Sequence, residues 1–369
     1  MSFLHRLFGS RTAAVWEAET RLMHRLGLVR PPQAVQWIST SRCDLKCPHC
    51  YSHAGAPECN ELTTAEAKEL IIDEMVALSS GDGPPTLVIA GGETLLRRDL
   101  GEVVAYAHQR GVPWAIHTHG GAVERNIDIF RDHTPVMAAV SVDGPREYHD
   151  RFRGRVGSYD AAMRAVAALK DAGVGEVVIG TTINRNNADL LAEMIPQVLG
   201  SGADSWGFHL MTPEGRAGEH PELLPTAAQL RRVASLGRRL RSIFHVELDN
   251  EWGSAGDDDC FYRDAPFVCG AGRISCVVSA TGELMACTTT DHDESAGNVR
   301  EIPLSKLWAQ GFNAFRGKKD PLRGDMYDCW LNTRHGRSCR KAAFEIDLFE
   351  PALSDNGVIR VPLTIGGGV

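Results

Sequence analysis

The sequence predicts an α/β fold: parallel strands, each followed by a helix, curling into a barrel or part of one. Apolar, β-rich runs alternate with amphipathic segments along residues 34–248. The runs are near-continuously apolar, as strands covered by helices require. The 369 residues, 43% hydrophobic and 23% charged, suffice for one large α/β domain with an appendage, or for two modest domains.

In chain order, the strands are expected at Val35–Ser39, Thr86–Ala90, Trp114–Thr118, Met137–Val142, Val177–Ile183 and Ser205–Met211. The helices between them are expected at Thr64–Leu78, Asp99–Gln109, Tyr159–Ala172 and Leu190–Leu199. Thr63 or Thr64, with Glu66, supplies the cap of the first. A helix at Thr226–Arg241 closes the scaffold, residues 34–248. Before it, residues 1–33 form a helical extension. They lack the continuous apolar stretch and cleavage site of a signal peptide. After it come a polar linker at 249–259, a hairpin-rich unit at 260–345 with a short helix at Leu304–Phe312, and a Gly- and Pro-containing tail at 346–369.

A net charge of −8 without a long basic run argues against nucleic acid as a partner. No run has the apolar length of a membrane span. Ten cysteines without a signal peptide point to a reducing cytoplasm and metal ligation. Four lie between Cys43 and Cys59 and six between Cys260 and Cys339, with a cysteine-free scaffold between.

Cys43, Cys47 and Cys50 form a C-x3-C-x2-C triplet on the loop leaving the first strand. Three thiolates this close can hold three irons of a [4Fe–4S] cluster and leave the fourth open to a small molecule. The alternative is a structural zinc knot recruiting His49 and His53, although no fourth cysteine or His pair has the usual spacing. With this triplet after strand one and Ala90-Gly91-Gly92-Glu93 after strand two, the chain resembles the radical S-adenosylmethionine (SAM) superfamily. The resemblance implies a partial (β/α)6 TIM-type barrel, a [4Fe–4S] cluster on Cys43, Cys47 and Cys50, and SAM as cofactor. Gly91, Gly92 and Glu93 resemble the motif that takes the SAM amino group, with Thr94 where Pro is usual. Ser141, in Ser141-Val142-Asp143-Gly144, and Arg153, before Gly154, resemble the segment holding the SAM carboxylate or ribose. Thr118-His119-Gly120 stands where the family has Thr-Asn-Gly, which puts Thr118 on the cofactor side. His49, inside the triplet, is a further expected cofactor contact. His117 and His119 are equally compatible with solvated loop positions, and Thr181–Asn184 could add polar contacts. Met211–Ala217 resembles a P-x-G-R segment and is expected near SAM or substrate; a plain Pro-Gly turn is the alternative.

The C-terminal cysteines read Cys269…Gly282-x4-Cys287 and resemble the opening of a SPASM or Twitch domain, a small α+β iron–sulfur unit. The pattern departs at Asn332, where a cysteine belongs, so at most one fully thiolate-ligated auxiliary cluster fits. By resemblance its ligands are Cys269, Cys287, Cys329 and Cys339, with Cys260 in reserve. Cys276 alternates with Ile274 and Val278 as a core residue would, and Cys59 reads as a bystander. Asp291–Glu294 is a solvated loop or holds a general base.

The resemblance implies reductive cleavage of SAM to a 5′-deoxyadenosyl radical that abstracts a substrate hydrogen. The oxidative outcomes are crosslinking, decarboxylation or dehydrogenation, with a flavodoxin- or ferredoxin-type electron donor. The expected substrate is a ribosomally made peptide, as for mycofactocin- and pyrroloquinoline-quinone-type maturases. Only residues 1–33 precede the barrel, so a separate leader-binding protein is expected. Tetrapyrrole or sugar-alcohol modification is the alternative within the same chemistry. A non-enzymatic iron–sulfur or zinc protein is the alternative from another class.

Overall fold

A computed structural model describes residues 29–248, 252, 270–288 and 295–316. The strands are β1 (Ala34–Ile38), β2 (Thr86–Ala90), β3 (Trp114–Thr118), β4 (Met137–Ser141), β5 (Val177–Ile183), β6 (Ser205–Leu210), β7 (His245–Leu248), β8 (Ser275–Val278), β9 (Glu283–Met285) and β10 (Gly297–Asn298). They form one sheet in the order β10-β9-β8-β1-β2-β3-β4-β5-β6-β7. From β8 to β7 every pairing is parallel, while β9 and β10 add an antiparallel hairpin at the edge.

The six expected strands and the helices between them lie within one or two residues of their predicted bounds. Two features of the sheet differ. A seventh parallel strand, β7, extends the scaffold beyond β6. Its four residues, HVEL, are too few to stand out beside a polar linker. The hairpin unit also continues the barrel sheet, because β8 pairs along β1 from Ala34↔Ser275 to Trp37↔Val278. An incomplete barrel leaves an open edge at β1, and unsatisfied ladder groups there are covered by another strand.

Helix Thr64–Ala77 opens on a capping box. Thr63 Oγ1 accepts from Glu66 N, and the Glu66 carboxylate accepts from Thr63 N at 2.8 Å. Two short helices, Ile127–Asp132 and Arg146–Arg153, escape the periodicity reading. The second, REYHDRFR, buries only Tyr148, His149 and Arg153, so no apolar stripe announces it.

The main core lies between the sheet and its helices, with Trp37, Ile89, Ile116, Val140 and Phe208 essentially inaccessible. Burying each such side chain stabilises by roughly 1.5–3 kcal/mol. A smaller cluster, Ala34, Val88, Ala115, Met137 and Ala139, fills the opposite, inner face. Small residues there leave room above it, at the C-terminal ends of the strands, where parallel barrels place their chemistry. No helix among the described residues is long and apolar enough to cross a membrane.

Candidate metal centre at the barrel mouth

The chain leaves β1 into a loop that returns on itself: Cys43 N donates to Gly55 O at 2.8 Å and Gly55 N to Ser41 O at 2.9 Å. The Glu61 carboxylate ties its root, accepting from Thr40 Oγ1 and from Ser41 N at 2.7 Å. Inside the turn, Leu45 N donates to Cys43 Sγ and Ala54 N to Cys50 Sγ, each at 3.4 Å. All three cysteines are free thiols. Burial pushes the Cys43 thiol up to about 11 and raises Cys47, in Cys47 against the pull of Arg153 and Arg216. Thiols so placed stay protonated until a metal displaces the proton. Amides aimed at sulfur are the outer-shell support that thiolate ligands use. The donor set therefore fits an iron–sulfur cluster.

β2 delivers Gly91-Gly92-Glu93 directly against this loop. Gly92 N donates to Thr40 O and Glu93 N to Arg42 O, both at 2.8 Å. A side chain on Gly91 would overlap Thr40 O and one on Gly92 would overlap Arg42 O, so glycine is required where the two loops dock. Glu93 is fully buried and turned inward. Its carboxylate accepts from Thr118 Oγ1 at 2.8 Å and from His119 N at 2.9 Å. His119 Nε2 lies 2.9 Å from Asp44 Oδ1, and Arg155 donates to Asp44 Oδ2 at 2.6 Å. The His119 contact, then burial working against it and the Arg155 contact, leave the Asp44 carboxyl far below its ordinary range. Cys43, Asp44 and His119 bring donor atoms within 4.8 Å of one another, close enough to hold a metal.

β4 contributes a buried ion pair. Arg153 Nε donates to Asp143 Oδ2 at 2.7 Å, with the two side chains 7% and 0% exposed. Asp143 N donates to His149 Nδ1, Asp143 Oδ1 accepts from Thr182 N, and His49 Nε2 stands 3.6 Å from the same carboxylate. Burial raises the Asp143 pKa, but the Arg153, His49 and His149 charges outweigh it and leave the value at about 2. His49 stacks on Phe152 with centroids 4.9 Å apart, and its buried Nδ1 has no hydrogen-bond partner. Ser141, half-buried, ends β4 opposite Gly180 of β5. Asn184 accepts from Tyr148 Oη at 2.8 Å, and its buried Nδ2 also lacks a partner.

Cys43, Cys47, Cys50, Gly91, Gly92, Glu93, Thr118, His49 and Arg153 thus belong to one contact network, joined by Asp44, His119, Asp143 and Arg155. The sequence reading gave Asp44, Asp143 and Arg155 no role. Their signal was available: charged residues between or beside motif positions, with opposite charges far along the chain. In the C-terminal part, Cys276 is buried in β8, where burial pushes its thiol up to about 12. Cys287, half-buried, follows β9. Cys269, Cys329, Cys339, Cys260, residues 1–28, Asp291–Glu294, the tail and all of the linker but Trp252 lie outside the described residues.

A parallel sheet with a three-cysteine loop at its mouth is the arrangement expected of a radical SAM enzyme, and comparison with known proteins bears that out. Residues 37–195 match the Radical SAM superfamily, and residues 269–330 match SPASM, an iron–sulfur cluster-binding domain. The AdoMet-dependent heme synthase of Oleidesulfovibrio alaskensis is 30% identical over 303 residues, 76% of each chain. The mycofactocin maturase MftC of Mycolicibacterium smegmatis is 31% identical over 305 residues, 79% of this chain and 73% of its own. In fold, SuiB of Streptococcus suis bound to S-adenosylmethionine superposes with a TM-score of 0.66 at 14% identity, over 84% of this chain and 73% of its own. The anSMEcpe structure with bound AdoMet and Cp18Cys peptide gives a TM-score of 0.65 at 16% identity, over 87% and 96%. The chain belongs to the radical SAM superfamily and is an enzyme of that class, with SAM, a [4Fe–4S] cluster and an auxiliary iron–sulfur cluster as its cofactors.

Proposed function

We propose that Cys43, Cys47 and Cys50 hold the SAM-binding cluster and that the enzyme oxidatively modifies a ribosomally made peptide. The observation that carries the first part is the cysteine loop itself, with backbone amides on two sulfurs and the Gly91-Gly92 turn docked beside it. A cluster held by Cys43, Cys47 and Cys50 would supply the single electron for SAM cleavage and so the radical chemistry at the substrate. The protein's work is to bind, orient and exclude water. An ammonium only donates, so carbonyl oxygens of the Gly91–Glu93 turn are assigned to receive that of SAM, while the Gly92 and Glu93 amides serve the cysteine loop. Glu93, bonded to Thr118 and His119, fixes the end of β3 against that turn. Arg153 and His49 meet at Asp143, which orients the guanidinium, and with Ser141 they are assigned to the rest of SAM. The orphaned Nδ1 of His49 supports a ligand at that point. Cys287, with Cys269, Cys329 and Cys339, is assigned to hold the auxiliary cluster, which would supply an acceptor for the surplus electron. A flavodoxin- or ferredoxin-type donor and a separate leader-binding protein complete the system.

The peptide reading is supported by the resemblance to mycofactocin-type maturases and by the MftC relative. A tetrapyrrole substrate is the second reading, favoured by the heme synthase relative at equal similarity. One experiment separates them. Anaerobically reconstituted protein, loaded to about eight irons per chain, is given SAM and a strong reductant with either a maturase precursor peptide or an iron-porphyrin carrying propionates. Substrate-dependent 5′-deoxyadenosine and a product lighter than the peptide support the first reading; turnover of the porphyrin alone sinks it.

A further inference from the structure

The loop after β6 meets the cysteine loop edge to edge. Arg216 N donates to Cys50 O at 2.9 Å, its Nη1 to Cys47 O at 2.9 Å and its Nη2 to Ala54 O at 2.5 Å. One residue thereby holds three carbonyls that bracket Cys47 and Cys50 from a distance of more than 160 positions in the chain. Gly215 makes the approach possible: its φ is +54°, and a side chain there would overlap Tyr51 O. The guanidinium, 2.9 Å from the Cys47 carbonyl, also places its positive charge beside a residue of the triplet. So the segment expected near SAM or substrate is bound, at Arg216, to the cysteine loop.

We infer that Arg216 is a positioning residue for the iron–sulfur centre. It locks the span Cys47–Ala54 and keeps a fixed positive charge beside Cys47, which favours the reduced, more negative cluster. This rests on the reading that Cys43, Cys47 and Cys50 hold that cluster. The two roles separate chemically. Glutamine at 216 loses the charge and most of the clamp, whereas lysine keeps the charge but cannot span two carbonyls with a planar fork. A carbonyl released from a charge-assisted bond returns to water, and the loop opens more often.

The test uses the full chain and the variants Arg216→Gln and Arg216→Lys. In metal-free protein, hydrogen exchange across residues 47–55 is expected to quicken about tenfold in both, the factor one lost charge-assisted bond implies. In reconstituted protein, the midpoint of the SAM-binding cluster, followed by its paramagnetic signal, is expected to move negative in Arg216→Gln and to hold in Arg216→Lys. Wild-type exchange in both variants overturns the clamp. An unmoved midpoint in loaded Arg216→Gln overturns the charge role. A raised substrate KM with exchange and midpoint unchanged makes Arg216 a substrate contact and overturns both. Should wild-type protein take up no cluster, the functional reading falls, while exchange in the metal-free chain still decides the clamp.

Discussion

Two sets of cysteines in this molecule contrast sharply. Cys43, Cys47 and Cys50 sit on a loop whose amides donate to the sulfurs of Cys43 and Cys50 and whose Cys47 carbonyl is held by Arg216. Cys276 sits in a strand between apolar neighbours, one of the packed residues that join β8 to β1. Both environments raise the thiol pKa, to about 11 for Cys43 and about 12 for Cys276, and both do so through burial. Burial alone therefore does not distinguish a ligand from a core residue. The distinction lies in the backbone amides that donate to the sulfurs of Cys43 and Cys50, since a neighbouring cation is common to both settings, Arg316 for Cys276 and Arg153 and Arg216 for Cys47.

The largest expected effect breaks the contrast outright. Cys43→Ala should take 5′-deoxyadenosine formation below detection, while Cys276→Ala should leave it within about twofold and cost about 1 kcal/mol of stability. Product assay and urea unfolding read the two outcomes; deoxyadenosine from Cys43→Ala refutes the ligand assignment. Next in size, Asp143→Ala strands the buried Arg153 charge beside the loop and should cost about 3–5 kcal/mol. A loss below about 1 kcal/mol would mean water reaches Arg153.

Acid sharpens the same comparison. Burial, then Arg153, hold His149 down to about 4 from 6.5, so the fold keeps it neutral. A depressed folded value gives stability that is full above pH 6.5 and declines as pH falls toward 4. Asp143, at about 2 against an ordinary 3.8, adds a second loss below pH 3.8. The urea midpoint should fall by the equivalent of roughly 2–3 kcal/mol in the first step. Burial holds His49 at about 4 as well, so His149→Gln should remove about half of that step, and an unchanged slope would count against it. The smallest effect concerns the hairpin side: Arg300 pairs with Glu66 at 2.6 Å, each about 30% exposed. Arg300→Ala should cost about 0.5–1 kcal/mol and leave cluster content untouched.

Much of this was legible in the sequence because the signals were local. A strand of the inner sheet announces itself by four apolar residues in a row, as LVIA does after Thr86 in β2. A capping box needs only Thr63 and Glu66, and three thiols suited to a cubane need only an eight-residue stretch. Where the local signal was weak, the reading missed: β7 is short and half polar, and helix Arg146–Arg153 carries almost no apolar stripe.

The sequence alone determined the repeating β/α architecture and the cysteine triplet, since periodicity and spacing are properties of neighbouring residues, and the resemblance of its motifs pointed to the chemical family. Only the tertiary structure decided that Gly91 and Gly92 are needed for loop to meet loop, that Glu93 points inward, and that Arg216 grips the cysteine turn. Those contacts join residues from different strands, and which strand ends become neighbours is set by the order in which the whole sheet assembles.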